Sequence, residues 1–304
     1  MKSAPALDTV EKTLESIRVK TPAYEELTER FGSLFKAAAS VHDELVKRGI
    51  ATADINQARV AAGAPVLAGN DMETWRDDFA MAAERLLPSL CEVLELESDV
   101  ADQLIEYFGD ADNVMGLVRA RIDGDWPFFE KTSVQQDSVP PTVMLYISET
   151  ISSPVLGAIV DTMDESLSSL NWQEGHCPAC GSSPSISHLS PKEVTDLDQL
   201  VGGGGKKFLH CSLCGFDWRF KRNACPSCGN EDSETREVFY IDDVQYERIE
   251  ACHQCGKYCL NIDMREFDPH PHLDAIQMGL IHLDLYARKN SLTPIKPTLW
   301  NTVE

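Results

Sequence analysis

Eight of the ten cysteines fall in four Cys-x-x-Cys pairs: Cys177 and Cys180 in CPACG, Cys211 and Cys214 in CSLCG, Cys225 and Cys228 in CPSCG, and Cys252 and Cys255 in CHQCG. Each pair carries Gly directly after its second cysteine, where a tight turn brings the chain back and aims backbone amides at the sulfurs. Thiolates held this way are ligands for a soft tetrahedral ion, with metal–sulfur distances of about 2.3 Å. Four ligands fill such a site, so four pairs make two closed sites. No coordination position is left for water or substrate, and hydrolytic metal catalysis is not indicated. A single pair could equally be a redox centre; four regularly spaced pairs fit that poorly.

Thirty residues separate Cys180 from Cys211, twenty-three separate Cys228 from Cys252, and ten separate Cys214 from Cys225. Each longer segment has room for a small antiparallel hairpin that brings its flanking pairs together. The expected sites are therefore Cys177/Cys180/Cys211/Cys214 and Cys225/Cys228/Cys252/Cys255, with a crossed pairing as the alternative. Four thiolates suit zinc or iron equally, so two metal ions per chain are expected and the element stays open. His176, His210 and His253 neighbour the cysteines and are expected as supporting or surface groups, while Cys259 and Cys91 are expected as buried core thiols. No catalytic or nucleotide-binding residue is assigned, since no nucleophile–base pair, carboxylate motif or phosphate loop occurs.

The elements that must position this sulfur differ along the chain. Thr21 as N-cap, Pro22 at the first helical position and Gly49 at the end frame a helix with Leu27, Phe31, Leu34, Ala38, Val41 and Leu45 on one face. A second helix is expected from Asp71, carrying Trp75, Phe79, Ala82 and Leu86 until Pro88 disturbs it. A third is expected in 142–165, with Ile147, Ile151, Val155, Ile159 and Met163 every four residues and Pro154 kinking or dividing it. Beyond about residue 170 come Gly-, Ser- and Pro-rich stretches, a glycine run at 202–205 that reads as a hairpin tip, and the segments EVFYIDD and VQYERIEA, which read as two strands joined across Asp242 and Asp243. The fold class is therefore α plus small β, with an all-helical N-terminal domain (1–170), a first metal module (171–222), and a second metal module (223–304) ending in a helix.

The formal net charge is −22, with 30 acids against 14 bases in residues 1–171. Such a surface opposes a nucleic-acid partner, whose phosphates are bound through Lys and Arg. The basic-aromatic stretch Trp218, Arg219, Lys221 and Arg222 reads as a hairpin strand with Trp218 packed. The start of the chain has no basic segment followed by an apolar run, and no stretch of about 18 apolar residues occurs, so a cytoplasmic protein without membrane contact is expected. In a reducing cytoplasm clustered cysteines are metal ligands rather than disulfides.

The ordered string CPACGSSP, FLHCSLCGFDWRFKRNACPSCGN and CHQCGKYCLNIDMRE, followed by LDAIQMGLIHLDLYARK, resembles the formate dehydrogenase accessory proteins of the FdhE family. Where that family usually continues the last pair with Tyr-Leu-Lys, this chain has Tyr258, Cys259 and Leu260. The resemblance implies a helical region followed by two rubredoxin-like modules and a last helix, with iron on the eight cysteines. It also implies a cytoplasmic, non-enzymatic, chaperone-like maturation factor that binds the catalytic subunit of a molybdenum- or tungsten-containing formate dehydrogenase. A homodimer is compatible with it. The classes set against it are a zinc-ribbon nucleic-acid binder and a rubredoxin-like electron carrier.

Overall fold

The computed structural model describes residues 6–135, 139–191, 205–267 and 271–302. Residues 202–204 of the expected hairpin tip lie outside them. The described chain is a helical N-terminal region followed by a small sheet that carries two groups of four cysteines.

The helices are α1 (Ala6–Lys20), α2 (Glu25–Arg48), α3 (Gln57–Ala61), α4 (Arg76–Val93), α5 (Ser98–Gly109), α6 (Ala111–Asp123), α7 (Trp126–Gln135), α8 (Pro141–Asp161) and α9 (Asp164–Ser168). The start of α2 differs from expectation. Pro22–Tyr24 forms a 3-10 turn, Thr21 makes no side-chain cap, and the α-helix begins at Glu25. Its end is as the sequence implies: Gly49 turns left-handed at φ 78° and its N–H bonds the Leu45 carbonyl at 3.1 Å. Asp71 caps a 3-10 turn at Met72–Trp75, and α4 then continues past Pro88 to Val93. The carbonyl that Pro88 leaves without its helical donor belongs to Glu84, and both residues are exposed, so the carbonyl is not orphaned in the core. Helix α8 likewise continues through Pro154 rather than dividing. It is apolar nearly all round because it is the hub packed by α2, α4, α6 and α7. By length and composition alone α8 could cross a membrane, yet 61% of its most apolar window is buried within this fold.

The strands are β1 (Pro184–Leu189), β2 (Lys207–Cys211), β3 (Asp217–Arg219), β4 (Arg236–Ile241), β5 (Val244–Cys252), β6 (Lys257–Asp263) and β7 (Thr293–Pro294). Hairpin β1–β2 lies between Cys180 and Cys211, and hairpin β4–β5 turns at Asp242 and Asp243 with Ile241 opposite Val244. The two hairpins belong to one sheet, in the order β3-β2-β1-β6-β5-β4, because β1 pairs in parallel with β6 from Ile186↔Leu260 to Leu189↔Asp263. One face of this seam is polar and buried. Lys207 pairs with Glu250, Asp263 is gripped by Arg248 and Arg265 at 2.6 Å each, and the Asn261 amide donates to Ser187 Oγ at 2.9 Å. Buried charge of this kind fixes register more than it adds stability.

The other face of the sheet is apolar. Ile186, Ile249, Leu260 and Ile262 pack with Val10, Leu14 and Ile17 of α1 and with the C-terminal helices α10 (Leu273–Ile276) and α11 (Ile281–Lys289). Tyr258 donates to Asp284 Oδ1 at 2.5 Å, while Asp284 Oδ2 is buried without a partner. Burial raises the Asp284 carboxyl to about 6, against the opposing pull of Tyr258 and Arg288. A carboxyl whose folded pKa is raised stabilises the fold while protonated, and that contribution is lost as pH rises through about 6. The difference of wild type minus Asp284→Asn in urea-unfolding free energy should fall chiefly between pH 4 and 6, the interval between the unfolded and folded pKa, by about 3 kcal/mol in total, and level off above it. A flat difference would show that the charge is solvated.

Candidate metal centres

The four knuckles are copies of one turn. Gly181, Gly215, Gly229 and Gly256 take φ of 79°, 68°, 72° and 70°, and their N–H groups bond the carbonyls of Cys177, Cys211, Cys225 and Cys252 at 2.9, 3.3, 2.9 and 2.8 Å. Only glycine adopts this left-handed turn without strain, which is why it follows each pair. The amides of Leu213 and Cys214 point at Cys211 Sγ, both at 3.4 Å.

The knuckles meet in the consecutive arrangement. Cys177, Cys180, Cys211 and Cys214 form one group and Cys225, Cys228, Cys252 and Cys255 the other, with all sulfurs of a group within 4.8 Å of one another. A tetrahedral ion with metal–sulfur distances of about 2.3 Å requires sulfurs about 3.8 Å apart. In the inner group Cys177 and Cys214 stand 3.6 Å apart and Cys180 and Cys211 3.3 Å; in the outer group Cys225 and Cys255 stand 3.8 Å apart and Cys228 and Cys252 3.7 Å. Each group can therefore hold a metal ion, and soft thiolate sets of this shape accept zinc and iron alike.

The two groups differ in burial. All four inner cysteines lie in the main core, whereas Cys228 is exposed and Cys255 half-buried. Burial pushes the Cys177 and Cys214 thiols well up, and Cys225 up to about 12. Burial would also raise Cys252, but the Asn230 amide, 3.5 Å from its sulfur, and nearby backbone N–H groups draw it down to about 6. A bound cation replaces these protons at every ligand, so loading either site releases protons.

Neighbouring elements hold the groups in place. The amides of Val66 and Leu67 bond the carbonyls of Pro178 and Ala179 at 2.9 and 2.8 Å, and Arg121, paired with Glu149, donates to Ser182 Oγ at 2.8 Å. The inner group is thus anchored to the helices. Gly175 rests on the third knuckle so closely that an added Cβ would stand 1.8 Å from the Pro226 carbonyl oxygen. At the usual strand spacing Cys211 on β2 and Cys252 on β5, at the same end of the sheet and three strands apart, are separated by about 14 Å.

None of the three neighbouring histidines is a member of either group. His210 is buried between Asp217 Oδ1 at 2.7 Å and Asp274 Oδ1 at 3.3 Å, and His188 shares Asp217 at 3.2 Å. Burial disfavours the His210 imidazolium, but the two carboxylates outweigh it and hold its pKa well above the usual range. The ring of His176 packs edge-on against Trp172, and His253 pairs with Glu237 near the surface. Trp218 is packed, its Nε1 donating to the Glu174 carbonyl, and Cys91 and Cys259 are buried outside both groups. Asn230, Asp217, Asp274 and Ser182 carry no sequence signal of their own. They become visible only once the turns and strands place them.

Fold and sites together define a helical protein with a two-centre, four-cysteine sheet module. No family model matches the chain. Over 125 residues it is 30% identical to the FdhE homolog of Aquifex aeolicus, covering 41% of each chain, and over 117 residues it is 34% identical to the FdhE protein of Escherichia coli, covering 38% of this chain and 33% of that one. The matched segments thus span only about two fifths and one third of those relatives. The crystal structure of the FdhE protein from Pseudomonas aeruginosa superposes with a TM-score of 0.65 at 17% identity, covering 99% of this chain and 97% of that one, so the fold is shared throughout. The likeness in sequence to FdhE proteins thus lies in about two fifths of the chain, and the likeness in fold runs through all of it.

Proposed function

We propose that this chain is a cytoplasmic accessory factor for a molybdenum- or tungsten-containing formate dehydrogenase, binding the catalytic subunit and required for that enzyme to become active. In this reading the eight cysteines, Cys177, Cys180, Cys211, Cys214, Cys225, Cys228, Cys252 and Cys255, are metal ligands, and the chain is not itself an enzyme. The observation that carries it is the pair of closed four-sulfur sets at one end of the sheet in a chain similar to proteins named FdhE. A set whose four positions are all sulfur has none to offer a substrate, so its chemistry is to hold a surface in shape. The exposed basic stretch, in which Lys221 is paired with Glu231, is too short to answer the acidic charge elsewhere.

The test is anaerobic co-purification of the tagged chain from its native host, with metal analysis of the same eluate and formate dehydrogenase activity of a strain lacking it. Recovery of the catalytic subunit with two metals per chain, together with loss of activity in that strain, is the expected result. Full activity without the chain would overturn the reading.

A further inference from the structure

We propose that the free edge of β4 is a docking rail for an extended, basic and alternately apolar segment of a partner protein, which adds as a further strand. This rests on the reading of the chain as a protein that binds another protein. Among the described residues no strand pairs with the outer edge of β4, which ends the sheet. The bond from the His253 N–H to the Thr235 carbonyl, 2.8 Å, sets the phase of the β4–β5 ladder. Counting from it, the N–H and C=O groups of Glu237 and Phe239 face β5, and those of Arg236, Val238 and Tyr240 face outward.

The side chains at this edge are of the kind a docking strand uses. Val238, Tyr240 and Ile241 are 49%, 50% and 50% exposed, and Phe239 on the other face packs on Tyr286, which with Leu285 extends the apolar surface onto α11. Edge strands are ordinarily blunted with Lys or Pro; β4 has neither, and its register irregularity, between Tyr240 and Ile241, lies beside the turn. An open edge with alternate exposed apolar side chains is the receptor of strand addition, where main-chain bonds give affinity and side chains give choice.

Charge selects the occupant. Exposed Asp232, Glu234, Glu237, Asp242 and Asp243 flank the rail, and half-buried Arg236 is the one base within β4. A second copy paired antiparallel about Val238 would set Asp242 opposite Glu234 of that copy, and like charges opposed across strands repel. A segment bearing Lys or Arg between its apolar residues meets complementary charge over the same span.

The probe is a ten-residue peptide alternating Ile or Val with Lys, N-methylated along one edge so that it cannot pair with itself, offered to the full metal-loaded chain. Hydrogen exchange of the Val238 and Tyr240 amides should slow on binding, and affinity should fall as salt rises. A version with Glu in place of Lys should bind at least tenfold more weakly. Val238→Pro, which removes an outward N–H while leaving the inner ladder, and Tyr240→Lys should each weaken binding at least tenfold with metal content and helical spectrum unchanged. No binding, binding that leaves those amides unprotected, or binding indifferent to both variants would overturn the rail. A concentration-dependent dimer abolished by Tyr240→Lys would overturn it too, assigning the edge to a second copy. The same variants in co-purification separate the two readings. A wild-type complex with the catalytic subunit that both variants leave intact sinks the rail alone, whereas peptide binding without any such complex sinks the assigned partner.

Discussion

Cys211→Ser is expected to lower the metal content from two ions per chain to one and to abolish cooperative unfolding, whereas Cys228→Ser should lower it equally and leave a sharp thermal transition. The chemistry removed is the same; the surroundings are not. The inner cysteines Cys177, Cys180, Cys211 and Cys214 are 0%, 2%, 0% and 4% exposed and share one core with Trp75, Phe79, Leu86 and Ile159. A structural four-sulfur site contributes on the order of 10 to 16 kcal/mol to folding, comparable with or larger than the roughly 5 to 15 kcal/mol by which a whole domain is stable. Breaking it also strands ionisable sulfur inside that core, where water cannot compensate. The outer group, with Cys228 exposed and Cys255 half-buried, borders solvent and holds mainly the β4–β5 end of the sheet. A chelator titrated into the loaded protein should accordingly remove one equivalent from the outer site well before the second. Cys259→Ser should keep both ions, since its sulfur lies in neither group. Elemental analysis beside thermal melts decides the matter: loss of both ions from Cys211→Ser would reveal coupled sites, and equal release of the two ions would show that burial does not govern lability.

The two four-cysteine groups were legible because their signal is local. Four turns of five residues, each closed by a left-handed glycine, can be read from type and spacing, and the hairpins follow from the lengths between them. Helix stripes such as Leu34, Val41 and Leu45 were legible for the same reason, periodicity being a property of neighbours in sequence. Both helices continue past Pro88 and Pro154, an outcome hidden in the sequence because whether a helix ends there depends on what serves the orphaned carbonyl, which is a property of the packing. The parallel pairing of β1 with β6 joins Ile186 to Leu260 across seventy-four positions, and no local pattern announces it. The partners that brace the knuckles from outside, Arg121 with Ser182 and Val66 with Pro178, are equally remote in sequence. What the sequence concealed was the dependence of each part on the other.

That dependence gives the second large effect: residues 1–170 expressed alone should keep much of their far-ultraviolet helical signal yet melt without a cooperative transition, and added metal should not restore one. The fragment retains α1 to α9 but not what two of their faces pack against. Val10, Leu14 and Ile17 of α1 share one buried cluster with Ile186, Ile249, Leu260, Leu273 and Ile276, and the His272 amide bonds Thr13 Oγ1 at 2.8 Å. The hub side loses Trp172, Ala179, Leu209, Leu213, Phe216 and Trp218 from its cluster. Exposing a fully buried large apolar side chain costs about 1.5 to 3 kcal/mol; Val10, Leu14 and Ile17 keep α2 as a neighbour in the fragment but lose the rest of their cluster, and even partial exposure of the three is a sizeable share of a typical domain's net stability. The helices themselves persist in part, because α2 and α4 still enclose α8 and the Gly49 and Asp71 caps are intact. Calorimetry is the deciding measurement, with dye binding as a check on exposed apolar surface. A sharp endotherm in the fragment would mean that the helices form a self-sufficient core and that the sheet rests on it as a separable module. A broad, featureless trace restored to a sharp one only by the contiguous chain would mean that the metal centres stabilise the helical region through the core they share with it.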